Sequence, residues 1–250
     1  ERISPVKMKV FKNSENLGIS KNLNRLISLA KGNIISFMAS DDRYYGKKTF
    51  SENLDKLAKN PKIQAIYTEG YIWNGKDFLG KAQGRKEVSY IKARKYKELL
   101  DYMLSNVPHL LIQGGFFRKS LLDSIKGFDE NLKADDWVLN IKIIKYILNN
   151  NLEIIYNEEI CFLYRKHESN TTKDLDKIYN LIQEVIISYT PFNKKKCLLA
   201  RLNWRHGKRL LKFRKSFSGF KYMFSGLVSC PTYIFADILE YIQKKLNLKK

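Results

Sequence analysis

The sequence predicts an α/β fold on three observations. Asn33 to Asp42 is an apolar run of strand length that ends in two adjacent carboxylates, Asp41 and Asp42, and short continuous apolar runs are how buried parallel strands read. Val6 to Phe11 alternates like a strand, and a helical pattern lies between the two runs, so the order is strand, helix, strand with a parallel pair. Beyond Pro191 the composition changes, with no Asp or Glu between Val185 and Ala236. The boundary divides a first unit, residues 1–190, from a basic amphipathic helical appendage, residues 191–250.

Each element has a local reason. Asn13 to Gly18 is a polar turn, after which Ser20 is a good N-cap for a helix with Leu23, Leu26, Ile27 and Ala30 on one face and Gly32 as its stop. Beyond the carboxylates, Phe50, Leu54 and Leu57 mark a short helix that ends before Pro61, and Ile63 to Thr68 is a strand. Tyr71 to Trp73 and Phe78-Leu79 flank Asn74-Gly75, a hairpin signal. Arg94 to Ser105 reads as one helix, Leu110 to Ile112 as a strand entering Gly114-Gly115, and Leu121 to Lys126 as a helix halted by Gly127. Asp135-Asp136-Trp137 opens an apolar helix. Leu152 to Tyr156 and Ile160 to Tyr164 are two β runs, and Leu175 to Tyr189 carries a clean helical stripe.

Lys plus Arg outnumber Asp plus Glu by 46 to 25, and the net charge of +21 implies an anionic partner: a nucleotide, a phospholipid surface or a nucleic acid. Cys161, Cys197 and Cys230 are odd in number and widely spaced, so reduced thiols in a cytosolic protein are expected. No stretch reaches the roughly 20 apolar residues of a membrane span. The nearest, Tyr222 to Ala236, contains Pro231, and a chain of this kind that meets a membrane lies on it.

The carboxylates carry the chemical interest. Adjacent Asp41 and Asp42 repel unless a proton or cation intervenes, which suits a hard divalent ion with oxygen ligands; alternatively Asp41 starts a turn and caps the next helix. Asp135 and Asp136 are favoured in a first helical turn by the macrodipole, so capping is the plain alternative to chemistry there. Gly114-Gly115 permits either close backbone approach or a simple bend. His167 is a lone histidine at a strand end.

Taken together, Glu15-Asn16-Leu-Gly18-Ile-Ser20 with Asn24, Ala30-Lys31-Gly32, Phe37-Met-Ala-Ser-Asp41-Asp42, Gly114-Gly115, Gly127-Phe128-Asp129-Glu130, Asp135-Asp136-Trp137 and Tyr164-Arg165-Lys-His167 resemble, in that order, the family 2 glycosyltransferases. The resemblance covers about residues 6 to 168. It implies a GT-A-like fold, the nucleotide-diphospho-sugar transferase architecture, with a mixed sheet flanked by helices, and an inverting transfer of sugar from a nucleotide-diphosphate donor to an acceptor hydroxyl. By the same resemblance, Asp41 matches the last Asp of the D-x-D motif that binds a divalent metal, Mn or Mg, with Asp42 beside it. His167 falls where some members add a metal or diphosphate contact. Asp136 matches the catalytic base, with Asp135 standing where Glu is usual. Gly114 and Gly115 fall where backbone lies under sugar and acceptor, and Asn16, Gly18 and Asn24 belong beside the nucleotide.

Two departures qualify the match. Ala39 stands where many members have the first Asp of D-x-D, and the family's opening strand with its Pro-x-Tyr/Phe-Asn element is absent from the sequence, so an N-terminally truncated catalytic domain is expected. The resemblance further implies bacterial surface polysaccharide or lipid-linked glycan synthesis, a saccharide or lipid-linked acceptor, and a cytoplasmic location, peripheral on the inner face of an anionic membrane. The alternatives are a basic nucleic-acid-binding protein, motivated by Trp204, Phe213 and Phe217 among basic residues, and a non-catalytic remnant of a glycosyltransferase. No nucleic-acid motif accompanies the charge, and a nucleic-acid partner is not expected.

Overall fold

The computed structural model describes residues 9–166, 174–213, 215–236 and 238–239. Its elements in chain order are α1 (Ile19–Leu29), β1 (Ile34–Ile35), β2 (Arg43–Tyr44), α2 (Thr49–Lys59), β3 (Ile63–Trp73), β4 (Phe78–Lys81), α3 (Arg85–Lys92), α4 (Tyr96–Ser105), β5 (Phe116–Arg118), α5 (Lys119–Ser124), α6 (Asp135–Asn150), β6 (Glu153–Arg165), α7 (Leu175–Tyr189), α8 (Phe192–Lys212) and α9 (Ser216–Ser229). The strands form one mixed sheet in the order β1-β5-β3-β6-β2, with β4 pairing the far end of β3.

The parallel pair β3 and β6 forms its centre, in register from Ile63 opposite Glu153 to Trp73 opposite Arg165. β3 is covered on both sides. Ala65 and Tyr67 face a large apolar cluster with Leu99 and Met103 of α4, Ile143 and Ile144 of α6 and Val185 of α7, while Ile66 joins Leu57 of α2 and Phe116. A strand buried on both faces needs a near-continuous apolar run, which Ile63 to Tyr67 supplies but for Gln64, whose amide donates to the Pro61 carbonyl at 2.8 Å.

Several expectations are corrected by the pairing. The carboxylate-bearing run is not a long parallel strand. Only Ile34 and Ile35 are in the sheet, half-buried and antiparallel to β5, and Phe37 adds an isolated parallel bridge to Gln113. Of the alternating run Val6 to Phe11, the described residues 9–11 form no strand, and Val10 is exposed. The helix expected from Arg94 to Ser105 is α4, which begins at Tyr96 because Arg94 takes a positive φ of 54°, and that turn separates it from a helix not read from the sequence, α3. Leu110 to Ile112 is irregular because its hydrogen bonds go to side chains: Gln83 Oε1 accepts from the Leu111 N–H, and Asn140 Nδ2 donates to the Leu110 carbonyl. The two β runs after Asn151 are one strand, β6, whose register shifts near Glu69 absorb the polar interruption.

The expectation of three reduced thiols also fails. α8 and α9 run back on each other, and the chain beyond α9 brings Cys230 to Cys197, 33 residues away, as a disulfide; Cys161 alone is free, buried beside Asn53. Spacing in sequence gave no sign of that closure. No helix among the described residues is long and apolar enough to cross a membrane.

A long-range staple ties α1 to the segment before α6. The Asn24 amide donates to the Phe128 carbonyl at 3.0 Å and to Glu130 Oε1 at 2.9 Å, and its oxygen accepts the Phe128 N–H at 2.8 Å. Gly127 is required beneath it, since a Cβ there would lie 2.2 Å from Asn24 Oδ1. Asn24→Ala strands a partly buried N–H and carbonyl, and should lower unfolding stability by about 1–3 kcal/mol in urea titration; an unchanged midpoint would mean that the staple contributes nothing.

Candidate active site

Asp136 lies in the first turn of α6, a helix whose buried residues, among them Val138, Leu139, Ile141, Ile143, Ile144 and Ile147, fix it against the sheet. The helix N-cap, Ala134, offers no side-chain bond, and Asp135 Oδ1 instead accepts the Asp136 N–H at 2.9 Å. Trp137 Nε1 donates to the Met103 carbonyl at 2.9 Å and anchors the same turn to α4. Asp136 itself is half-buried. Burial, and next the charge of Asp135, push its pKa up to about 7, against a backbone hydrogen bond from Ile112 that favours the anion. A carboxyl poised there can accept a proton near neutrality.

Tyr67, which feels the charge of Asp136, is held neutral. Tyr67 donates to Asn140 Oδ1 at 2.6 Å, and Asn140 donates on to the Leu110 carbonyl at 2.7 Å. Burial, with a smaller contribution from the Asp136 charge, raises the Tyr67 pKa well above the usual phenol range. Tyr67 therefore stays protonated and positions the Leu110 segment.

Two residues past Ile112, Gly114 joins this segment to the run that leads into Asp41 and Asp42. Its N–H donates to the Phe37 carbonyl at 3.0 Å, and its own carbonyl accepts from Thr68 Oγ1 at 3.0 Å. Ser36 Oγ donates to the Gly115 carbonyl at 2.6 Å. Gly114 has φ +68°, and a Cβ on it would lie 2.6 Å from the ring of fully buried Phe162, so both backbone and space demand glycine there. Asp42, half-buried, closes the turn with its N–H on the Ala39 carbonyl at 3.2 Å, and its Oδ1 accepts the Arg165 N–H at the end of β6 at 2.8 Å. Asp41 is exposed at the turn.

Gly18 and Asp135 line a cleft of about 340 Å³ with Glu130 and Lys133. Asn16 Oδ1 accepts the Gly18 N–H at 2.9 Å, which shapes the entry to α1. Gly18 precedes the first helical turn as N-cap, with Ser20 already inside the helix. Asn24 has its amide in the staple described above. His167 lies outside the described residues.

Among the described residues no group of three or more His, Cys, Asp and Glu side chains could hold a metal ion. Asp41 and Asp42 nonetheless offer adjacent hard oxygen donors, and a magnesium-like ion binds proteins through one or two carboxylates with phosphate oxygens completing its shell. The donor chemistry fits. Tyr67, Asn140, Thr68 and Ile112 are positioning residues that sequence reasoning missed, because each acts through a contact far away in the chain.

A family model described as Glycosyl transferase family 2 matches residues 2–126, half of the chain. No curated protein matches it in sequence. Among solved structures, it is similar to a mannosyltransferase from Pyrobaculum calidifontis in complex with GDP-Man and Mn2+, at 15% identity and a TM-score of 0.46, over 96% of this chain and 63% of that one. It is also similar to glucosyl-3-phosphoglycerate synthase from Mycobacterium tuberculosis, at 18% identity and a TM-score of 0.39, over 68% of this chain and 52% of that one. The chain thus spans less than two-thirds of the length of these relatives.

The raised pKa of Asp136 has a signed consequence for stability. The unfolded carboxyl loses its proton near its ordinary 3.8 and the folded one near 7, so folding is penalised increasingly as pH rises through that window. Asp136→Asn should match the parent near about pH 4 and exceed it above about pH 7 by on the order of a few kcal/mol. Chemical denaturation at both pH values measures this, and a pH-independent difference would contradict it.

Proposed function

Because this chain belongs to glycosyl transferase family 2, we propose that it transfers a sugar from a nucleotide-diphosphate donor to an acceptor hydroxyl with inversion at the anomeric carbon. The observation that carries the proposal is Asp136, a half-buried carboxyl pushed up to about 7 at the start of α6. Through Ile112 and Gly114 it is tied to the segment bearing Asp41 and Asp42. One carboxylate group is thereby available to the leaving group and another to the nucleophile. The acceptor oxygen attacks the anomeric carbon as its proton passes to Asp136, and the bond to the donor diphosphate breaks in the same displacement. A sugar hydroxyl is a poor nucleophile until a base takes its proton in the transition state. Asp135 holds the Asp136 N–H and raises the pKa of the base through its charge.

On this proposal Asp41, with Asp42 beside it, would hold a divalent ion, Mn or Mg, which would supply Lewis-acid stabilisation of the charge on the departing diphosphate. Asn16, Gly18, Asn24, Gly114 and Gly115 border donor and acceptor as the family resemblance implies. The cleft that Gly18 shares with Asp135, Glu130 and Lys133 supports that placement. The acceptor class is a saccharide or lipid-linked glycan of a bacterial surface polymer.

Asp136→Asn keeps shape and hydrogen-bonding capacity while removing the base. Turnover, read as release of nucleoside diphosphate from a panel of UDP- and GDP-sugars with acceptor present, should fall by roughly 10²–10⁴ with donor affinity unchanged; near-parental turnover would sink the assignment and turn attention to Asp135. Asp41→Ala should remove metal-dependent donor binding in calorimetry while leaving the melting curve in place. Unchanged donor affinity in Mn2+ or Mg2+ would show that Asp41 is not the ligand.

A further inference from the structure

The appendage is built in layers. α8 lies on the catalytic unit, where Lys194 pairs with Asp101 at 2.8 Å and Arg205 donates to Asn106 Oδ1 at 2.9 Å. α9 lies on α8. Glycines line their seam, so that a Cβ on Gly207 would sit 2.5 Å from the Gly219 carbonyl oxygen, and one on Gly226 would sit 2.5 Å from the Ala200 carbonyl oxygen. Such backbone approach, characteristic of small-residue helix packing, together with the Cys197–Cys230 disulfide, fixes the rotation of α9 about its own axis.

That rotation decides which side chains face outward. At 100° per residue, Phe217, Phe220, Phe224 and Val228 share the face opposite Gly219 and Gly226. They are 86%, 63%, 70% and 66% exposed. Three phenylalanines and a valine left exposed along one helix face form a contiguous apolar stripe, and such stripes rimmed by polar residues mark interaction surfaces. Lys221 lies within the stripe, and exposed Lys212 and Lys215 precede it; no acidic residue occurs between Val185 and Ala236. Phe235 and Leu239, beyond the helix, are also exposed.

We infer that the aromatic face of α9 inserts into the interface of an anionic lipid bilayer and seats the catalytic unit on the membrane surface. An interfacial helix needs an apolar face to bury at the acyl boundary and cationic residues at headgroup level, and Lys221 can snorkel from among the phenylalanines. The basic surroundings select this occupant over a second copy of the chain, which would bring like charge against like. The inference concerns the outer helix and is independent of the chemistry at Asp136.

Co-sedimentation of the full chain with vesicles tests it. The chain should pellet with phosphatidylcholine vesicles containing phosphatidylglycerol and remain in solution with phosphatidylcholine alone. The triple variant Phe217→Ser, Phe220→Ser, Phe224→Ser should partition at least about 100-fold more weakly, while the triple change to Leu should retain binding and shows that loss in the Ser variant is not misfolding. Equal binding to both vesicle types, no binding to either, or full binding by the Ser variant would overturn the inference. So would a dimer in sedimentation velocity that dissociates only in the Ser variant, because the stripe would then be covered by a second copy.

Discussion

The parallel pairing of β3 with β6 is the constraint on which the rest of the structure depends. Because the pair is buried on both faces, its register is fixed by side chains that cannot be turned to solvent. Asp42, Gly114 and the helix bearing Asp136 are placed from it. The end of β6 supplies the Arg165 N–H that holds Asp42, the middle of β3 supplies the Thr68 hydroxyl that holds Gly114, and Tyr67 on the opposite face of β3 holds Asn140 one turn along from Asp136. Phe162 of β6 fills the space that glycine leaves at positions 70 and 114. A one-residue slip of β6 would therefore disturb the carboxylate turn and the glycine loop together.

The arrangement divides the carboxylates by environment. Asp41 is exposed at its turn, as suits a ligand for a solvated cation and phosphate, whereas Asp136 is drawn into the protein beside Asp135 and is protonated more readily than an ordinary carboxyl. On the proposed chemistry, like residues would thus take unlike tasks through burial and neighbours alone. The same economy of means governs the appendage, where glycines buried against α8 and phenylalanines left on the outside are both consequences of how closely two backbones approach.

Much of this was legible in the sequence, and the failures have physical causes. The strand at Ile63 to Thr68, the hairpin at Asn74-Gly75, the helix opening at Asp135 and the stripe of α7 are local patterns, and they appear where the sequence put them. The carboxylate run misled because only Ile34 and Ile35 find ladder partners, on β5, while Phe37 sets its ring against those of Phe117 and Phe128. Leu110 to Ile112 misled because side-chain amides replace a neighbouring strand as its hydrogen-bond partners. Asn24, read beside the nucleotide, is engaged 104 residues away with Phe128, and Cys197 finds Cys230 only because two helices fold back on each other. Contacts of that range leave no periodicity to read.

The central claim is that Asp136 is a base tuned by its surroundings, and the pH dependence of kcat/KM addresses it most directly. The account predicts an acidic limb with an apparent pKa near 7, set by burial and by Asp135, that moves toward the ordinary carboxylate range when Asp135→Asn removes the neighbouring charge. A limb already at the ordinary carboxylate value in the parent protein, or one that Asp135→Asn leaves where it was, would contradict it.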